Sequence, residues 1–522
     1  MNRQLHIIGG GIAGLAAAVF AIRDGRLTGD CVTIFDEGDR IGGSLDASGT
    51  PAAGYVMRGE RMLSKHFVCL FDLLSGIPSY DDPTVSAGDD ILAFTQEARW
   101  ESKARLVGRG PRRVDVSTFG LDGGDRLGLL RLMMRSEAAL DGLEIADVLP
   151  DHFFATNFWM MWATMFAFQP WHSAAEMRRY LLRFLHLFPQ LASMNTVHRT
   201  RYDQHHSIVL PVQGWLQRQG VRFASRTRVT DMEFRPDAAR HRVTALNVVG
   251  PHGPRTIAVP EGDFVIFTNG SMTAASTFGS MTAPAPLHRG EPGGAWDLWR
   301  TIASRPGFGH PETFTRQIDR SKFVSFTATT THPLFADLLR DLTHAAIGRE
   351  GLITFSESSW LMTIKANPTP HFPGQPEGTV VWWGYGLHPD KAGDFVEPSM
   401  AQCGGADLMR EAFMHLGWGK HVDTLLAHSR ATPCMMPYVT SQFMPRAQGD
   451  RPQVVPDGSE NLAFVGQFCE APLDTVFTVE YSVRTAMMAV TTLLGLKDRI
   501  PPVFKGWRRP DVLLRAARES FR

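Results

Sequence analysis

An apolar strand at residues 5–8 runs straight into Gly9-Gly10-Gly11-Ile12-Ala13-Gly14, and the helical pattern IAGLAAAVFAIRDG begins inside that motif. A second apolar strand, CVTIFDEG, follows, so residues 4–35 alternate strand, glycine turn, helix and strand as a βαβ unit does. Glycines spaced G-x-G-x-x-G let backbone approach a pyrophosphate, and the helix start turns free N–H groups and partial positive charge toward it. Asp36 stands 22 residues after Gly14, with Glu37 beside it, where an acid accepts ribose hydroxyls. A glycine motif alone is weak evidence. Strand, glycines, helix, strand and acid in this order predict a dinucleotide site at Gly9, Gly11, Ile12, Ala13, Gly14, Asp36 and Glu37. The competing reading is a tight turn with no ligand.

Arg40-Ile41-Gly42-Gly43-Ser44 follows the second strand and resembles the GG pair of glutathione-reductase-like flavoproteins, which favours FAD over NAD. Two later segments read as returning parts of that fold: DFVIFTNGS, with Thr268, Asn269, Gly270 and Ser271, and NLAFVGQ, with Gly466 and Gln467. Arg58 and Gly59 complete the expected cofactor contacts. No second G-x-G-x-x-G sits between a strand and a helix, so a separate nicotinamide domain is not expected. The fold class expected is α/β. A Rossmann-type FAD domain assembles from discontinuous segments, with an inserted α+β substrate domain and a C-terminal helical tail. The boundaries drawn are a βαβ unit at 1–75, a mostly helical region at 76–215 and a β-rich return at 216–280. A substrate domain at 281–430, a closing strand and helix at 431–495 and a basic tail at 496–522 follow. Helices are expected over 60–75, 126–141, 174–190 and 475–494, a second sheet over 323–332, 351–365 and TVVWWGYG, and a Pro/Gly-rich crossing at 281–294.

The 522 residues carry 53 Lys+Arg and 53 Asp+Glu, a balance unlike the basic footprint of a nucleic-acid-coating protein. Five scattered cysteines without a CxxC pair read as reduced thiols, not as a disulfide framework or a zinc site. No HExxH or GxSxG pattern occurs, and no metal is expected. The N-terminus has no signal-peptide pattern, and no apolar run is long enough to span a bilayer. A cytoplasmic location is expected. The chain has 33 Phe and 12 Trp against 7 Tyr, so its rings largely lack hydroxyls. Many of them fall in residues 153–168, FFATNFWMMWATMFAF, expected as one buried helix whose Phe154, Phe158, Trp162 and Phe166 share a stripe. That stripe reads either as core or as the wall of a hydrocarbon tunnel.

Several long segments resemble the oleate hydratase family, the fatty acid hydratases also called myosin-cross-reactive antigens. They include GGSLDASG (42–49), GYVMRGERM (54–62), residues 157–184, TNGSMT (268–273), PHFPGQPE (370–377), WWGYGLHPD (382–390), MPYVTSQFMPRAQGDRP (436–452) and GQFCEAPLDTVFTVEYSVRTA (466–486). The resemblance spans nearly the whole chain and implies an FAD-containing hydro-lyase that adds water across the cis double bond of a long-chain unsaturated free fatty acid. It implies that Tyr180 donates the proton to the alkene. Arg178 and Arg179, next to it in sequence, read as local help for a weakly acidic phenol, and the competing reading is that Tyr180 only packs on a helix. It implies a carboxylate-binding set of Gln204, Asn367 and His371, joined by Lys365 where the family carries a hydroxyl residue. The family's Arg-Gly-Gly-Arg-Glu-Met loop, whose Glu is assigned to the attacking water, departs here to Arg58-Gly59-Glu60-Arg61-Met62-Leu63. Met62 takes the Glu slot and cannot act as a base. Glu60 either assumes that role or pairs with Arg58 or Arg61 on the surface. Because hydration transfers no net electrons, the flavin is expected to shape the pocket and its field.

Residues 497–522 hold eight Lys/Arg against three Asp/Glu, and in PDVLLRAARESFR apolar positions interleave with arginines. An interfacial helix on anionic lipid, at the inner face of the membrane, is one reading; a helix docked on the body or on a second subunit is the other. Monomer and homodimer both stay open. Three other activities share this sequence: a fatty-acid double-bond isomerase, a redox flavoenzyme of amine-oxidase or desaturase type, and a fatty-acid-binding flavoprotein without turnover.

Overall fold

A computed structural model describes residues 3–236, 240–290, 293–497 and 499–522. Its organising element is a five-stranded parallel sheet in the order Leu462–Val465, Phe264–Thr268, Leu5–Ile8, Val32–Phe35, Arg222–Ala224. All four residues of Leu5–Ile8 are buried, as a parallel strand covered on both faces requires. Helix Ile12–Arg23 packs on the sheet through Leu15, Ala16, Ala17, Val19 and Phe20, and helix Val479–Leu493 lies against it. The small residues of the first helix allow that close approach. At Gly14 an added Cβ would sit 2.0 Å from the Gly9 carbonyl oxygen.

Arg228–Phe234, Val243–Gly250 and Gly253–Ala258 stand outside this sheet and form a three-stranded antiparallel sheet of their own. A second, eight-stranded sheet runs Thr277–Phe278, Ser429–Met436, Phe323–Thr330, Val380–Gly386, Met362–Ala366, Ile353–Phe355, Leu106–Gly108, Arg112–Arg113. Every residue of Phe323–Thr330 and of Met362–Ala366 is buried. Two of its strands come from the region expected to be mostly helical, and Ser429–Met436 runs across the boundary drawn at 430/431. Strand pairing ignores such cuts. The crossing expected at 281–294 falls in part on 291–292, outside the described residues.

Helical expectations are met in position and shortened in extent. The 60–75 helix is Val68–Ser75, because residues 59–63 are spent on the glycine loop and a bridge between Leu63 and His198. The 126–141 helix is Gly123–Met134, and 174–190 is Ala174–Phe184 followed by a 3-10 segment that contains Pro189. The 153–168 run is two elements rather than one. Thr156 accepts from the Trp159 amide and donates to the Phe153 carbonyl, so it ends a 3-10 turn, Asp151–Ala155, and caps the helix Asn157–Phe166. The tail helix, Pro510–Phe521, docks through Val512 and Ala516 beside Leu185–Gln190.

Candidate active site

Two cavities meet at Arg58. The larger, about 520 Å3, opens over the C-terminal ends of the parallel strands, where ligands of open α/β sheets bind. Gly9, Gly11, Ile12, Ala13, Asp36, Glu37, Gly43, Ser44, Arg58, Thr268, Gly270, Ser271, Gly466 and Gln467 line it. Helix Ile12–Arg23 begins at Gly11 with no side-chain cap, and a Cβ on Gly11 would meet only the Gly43 Cα, at 4.0 Å. The two glycine pairs therefore touch, Gly42 donating to the Gly10 carbonyl at 3.1 Å, and together leave a backbone-walled cradle.

Asp36 accepts from the amides of Gly10 at 2.7 Å and Gly38 at 2.8 Å, while burial raises its pKa. Its first task is to brace the glycine turn, with its remaining lone pairs for a ligand hydroxyl. The buried Thr268 hydroxyl has no hydrogen-bond partner among the described residues. An uncapped helix start, glycine cradle and orphaned hydroxyl fit a dinucleotide with its pyrophosphate at Gly11.

Gly14, Gly42, Gly59 and Asn269 do not line this cavity. Gly14 serves helix–strand contact, Gly42 carries the loop back at φ +134°, Gly59 faces the second cavity, and the Asn269 amide donates to the Phe468 carbonyl behind the wall. Arg228, Gly294 and Ser482 line it without having been anticipated, since nothing local in their sequence points to a ligand.

The second cavity, about 120 Å3, is mainly apolar, its charged lining being Arg58 and Arg61 on the glycine loop and the pair Glu60 and Lys365. Met165, Phe166, Phe184, Phe323, Trp383, Tyr385 and Phe477 form most of its wall. Tyr180 lies on it, fully buried, its hydroxyl donating to the Val476 carbonyl and its ring set among Phe166, Phe168, Phe184 and Phe443. Burial, reinforced by Glu176 and Asp474, pushes its pKa far above the ordinary phenol value. Arg178 and Arg179 do not assist the phenol. Arg179 binds Glu137 and Glu470, and Arg178 reaches Glu137, because charges this buried need carboxylate partners. The helix carrying Tyr180 is further fixed by buried Glu176, gripped by Arg446 and Arg451.

Glu60 also faces this cavity, and a surface pairing with Arg58 or Arg61 is not what forms. Its side chain is 8% exposed and its carboxylate takes the Lys365 ammonium, itself 5% exposed. Burial opposes the charge on Glu60, but Lys365, His371 and Arg199 outweigh it and hold the carboxyl at about 2. Burial also brings Lys365 down, against Glu60, to about 8, so both stay ionised at neutral pH. The loop owes its shape to Gly59 at φ +122° and to Gln204, whose amide accepts from the Arg61 N–H at 3.0 Å and donates to the Arg61 carbonyl at 2.6 Å. Gln204 is thus spent on the loop backbone. Met62 packs with Met165, Met194, Val197 and Leu352. Asn367 and His371, both fully buried, lie off the cavity wall, and neither the Asn367 side-chain amide nor the His371 ring nitrogens have a hydrogen-bond partner among the described residues.

The profile of the MCRA family matches residues 2–491. The chain belongs to the MCRA family. Across 514 residues, 96% of this chain and 87% of the relative, it is 38% identical to an oleate hydratase of Streptococcus pyogenes serotype M49 (strain NZ131). Across 559 residues, 99% and 98%, it is 33% identical to a linoleate hydratase of Lactiplantibacillus plantarum. In fold, this MCRA chain is similar to the cyclohexylamine oxidase of Brevibacterium oxydans IH-35A, with TM-score 0.52 and 13% identity over 96% of this chain and all of that one. A putrescine oxidase redesigned at its cofactor-binding site gives 0.53, with 12% identity over 94% and 99%. The α/β class with a Rossmann-type sheet built from discontinuous segments is therefore the fold of the chain. Among the described residues of this MCRA protein, no helix is long and apolar enough to cross a membrane.

Proposed function

We propose that the protein hydrates a cis double bond of long-chain unsaturated free fatty acids to give hydroxy fatty acids, with FAD in the larger cavity. The observation that carries this reading is one aromatic cavity holding a buried phenol and a buried carboxylate next to a dinucleotide cradle. Gly9, Gly11, Gly43 and Thr268 would hold the pyrophosphate, and Asp36 with Glu37 the ribose end. When bound, FAD supplies a wall and a field beside Arg58 rather than electrons, since hydration is redox-neutral.

Hydrocarbon chain packs against Phe166, Phe184 and Tyr385, displacing water from the alkene. Tyr180 keeps its proton at neutral pH because burial disfavours the phenolate. It gives that proton to one alkene carbon; water adds to the other and loses a proton to Glu60, and that proton returns to the phenolate, so that the net change is addition of one water. The difficulty is the acidity of a phenol whose pKa is raised; the field of the enclosed site must stabilise charge that exists only in the transition state. The carboxylate end would meet Lys365 on the cavity wall, with Asn367 and His371 off that wall.

The test is oleate and linoleate incubated with the FAD-loaded protein and a reductant in heavy-oxygen water, with products read by mass spectrometry. A labelled hydroxy acid is expected. A shifted double bond without label would make the protein an isomerase, and oxygen consumption would make it a redox enzyme.

A peripheral membrane role for the tail belongs to this reading. Helix Pro510–Phe521 leaves Leu514 72% and Phe521 71% exposed, with Arg515, Arg518 and Arg522 on the same helix end. Leu130 and Met134 are exposed on Gly123–Met134, to which Arg126 ties the tail at the Ser520 carbonyl and over the Phe521 ring. Substituting Leu514 and Phe521 by Ser is expected to lower co-sedimentation with anionic vesicles; unchanged binding returns the helix to a purely docking role.

A further inference from the structure

Both partners of the Glu60–Lys365 pair stand where this chain departs from its family's pattern, 305 residues apart, and they meet in the reactive cavity. Lys365 sits on a strand whose every residue is buried, so its ammonium has no route to solvent and must find an anion inside. Glu60 is that anion. Yet the surroundings hold more donors than one carboxylate can serve. The Arg199 guanidinium, 1% exposed and stacked on Trp100, has Nε and Nη2 without partners. Asn367 and His371 are likewise buried and unpartnered, and Glu60 lies within the field of both Arg199 and His371. Buried donors without acceptors are costly, and a second carboxylate would answer them.

In its pair with Lys365, Glu60 is also a poor base, since a carboxylate locked to an ammonium has little pull on a water proton. Any role for Glu60 in activating water requires that it leave Lys365. Leaving is prohibitive unless another anion arrives, because the ammonium would be stranded in an apolar strand. The substrate brings one.

We propose that Lys365 is a specificity-determining exchange point: the carboxylate of the incoming fatty acid replaces Glu60 as its counter-ion, and the released Glu60 turns into the apolar cavity to act on water. The inference rests on the hydratase reading and on Glu60 as the water-activating group. No bond is made or broken in the exchange; one ion pair is traded for another at constant net charge. Its consequence is that a free acid switches its own catalyst on. An ester or alcohol of the same chain fills the cavity and leaves Glu60 locked.

The decisive experiment compares oleate with methyl oleate on wild type and on Lys365→Met, an unbranched apolar replacement of similar length. Wild type is expected to convert the acid and to handle the ester at least roughly tenfold less well, the worth of one charged hydrogen bond. In Lys365→Met the acid loses its counter-ion, so KM for the acid rises and the acid-to-ester ratio of kcat/KM collapses toward one, whatever the loss of its cation does to Glu60 and so to both rates alike. Equal loss of both substrates, which leaves the acid-to-ester ratio at its wild-type value, overturns the exchange. A structure of the wild-type holoprotein with stearate gives a readout that needs no variant. Stearate carboxylate on Lys365 with Glu60 turned away supports the proposal, and Glu60 still on Lys365 with the fatty acid seated sinks it. If wild type converts neither substrate, the hydratase reading fails on its own, and the stearate structure still decides whether the exchange occurs.

Discussion

At the residue scale, Tyr180 and Glu60 carry different burdens, and two substitutions separate them. Tyr180→Phe removes one hydroxyl from a fully buried ring and leaves the Val476 carbonyl without its donor, at a cost of about 1–3 kcal/mol. The cofactor cradle lies elsewhere, so flavin absorbance should persist while hydroxy acid falls below detection by mass spectrometry. Glu60→Gln keeps the shape but removes the charge that answers Lys365. Turnover is expected to fall by about 100-fold or more at unchanged flavin content, measured as initial rate; near-normal hydration would return Glu60 to a structural role. What was legible at this scale is instructive. Gly9, Gly11 and Asp36 could be read because their contacts close within about one βαβ unit, Asp36 reaching the Gly10 amide across 26 residues. The partner of Glu60 could not, because Lys365 arrives on a strand of another sheet. Gln204, expected at the substrate head group, is consumed by a backbone 143 residues away. Nothing in its own neighbourhood signals that.

Among the elements, the aromatic run 153–168 shows how one polar side chain overrides a periodic pattern. Spacing four along Phe154, Phe158, Trp162 and Phe166 reads as one helix, but Thr156 offers its hydroxyl to the Trp159 amide and stops the helix there. The break lets Phe153 and Phe158 both turn inward, while Phe166 at the far end reaches the cavity and stacks on Phe184. Thr156→Ala should lose about 1 kcal/mol of stability, read as a shift in the denaturation midpoint with an unchanged slope. A loss near zero would mean that tertiary packing alone ends the helix. The helix of Tyr180 differs in kind. Its arginines stand next to the phenol in sequence, yet they bind the Glu137–Glu470 side, and buried Glu176 binds arginines of a segment some 270 residues on. Periodicity exposes which face is apolar; it does not reveal which distant charge a buried charge will take.

The whole molecule buries histidines that its unfolded chain would protonate. Burial is the main cause that holds His371 at about 4 and His172 at about 3, both below the ordinary 6.5. Between those values the unfolded chain takes up protons that the folded one refuses, so this stability is complete above about pH 6.5 and is lost as pH falls toward 4 and then 3. Glu60 and Glu176, both held at about 2 by their cations against burial, add loss of the same sign below about 4.5. The melting temperature should therefore be level from pH 7 to 8 and fall steadily from about 6.5 downward, as a pH series of thermal melts would show. A melting temperature flat to pH 5 would mean these histidines are protonated in the folded protein.

The order of strands in the parallel sheet also sets a clock. Leu5–Ile8 is the central strand, its neighbour Phe264–Thr268 is made far later, and the edge strand Leu462–Val465 later still. At roughly 5–20 residues per second the glycine turn waits between about 20 and 90 seconds on the ribosome before its crevice can close. The cofactor therefore cannot act as an early nucleus of folding. A chain stalled or clipped before residue 462 has every glycine of the first motif and lacks the wall that Gly466 and Gln467 add to the crevice.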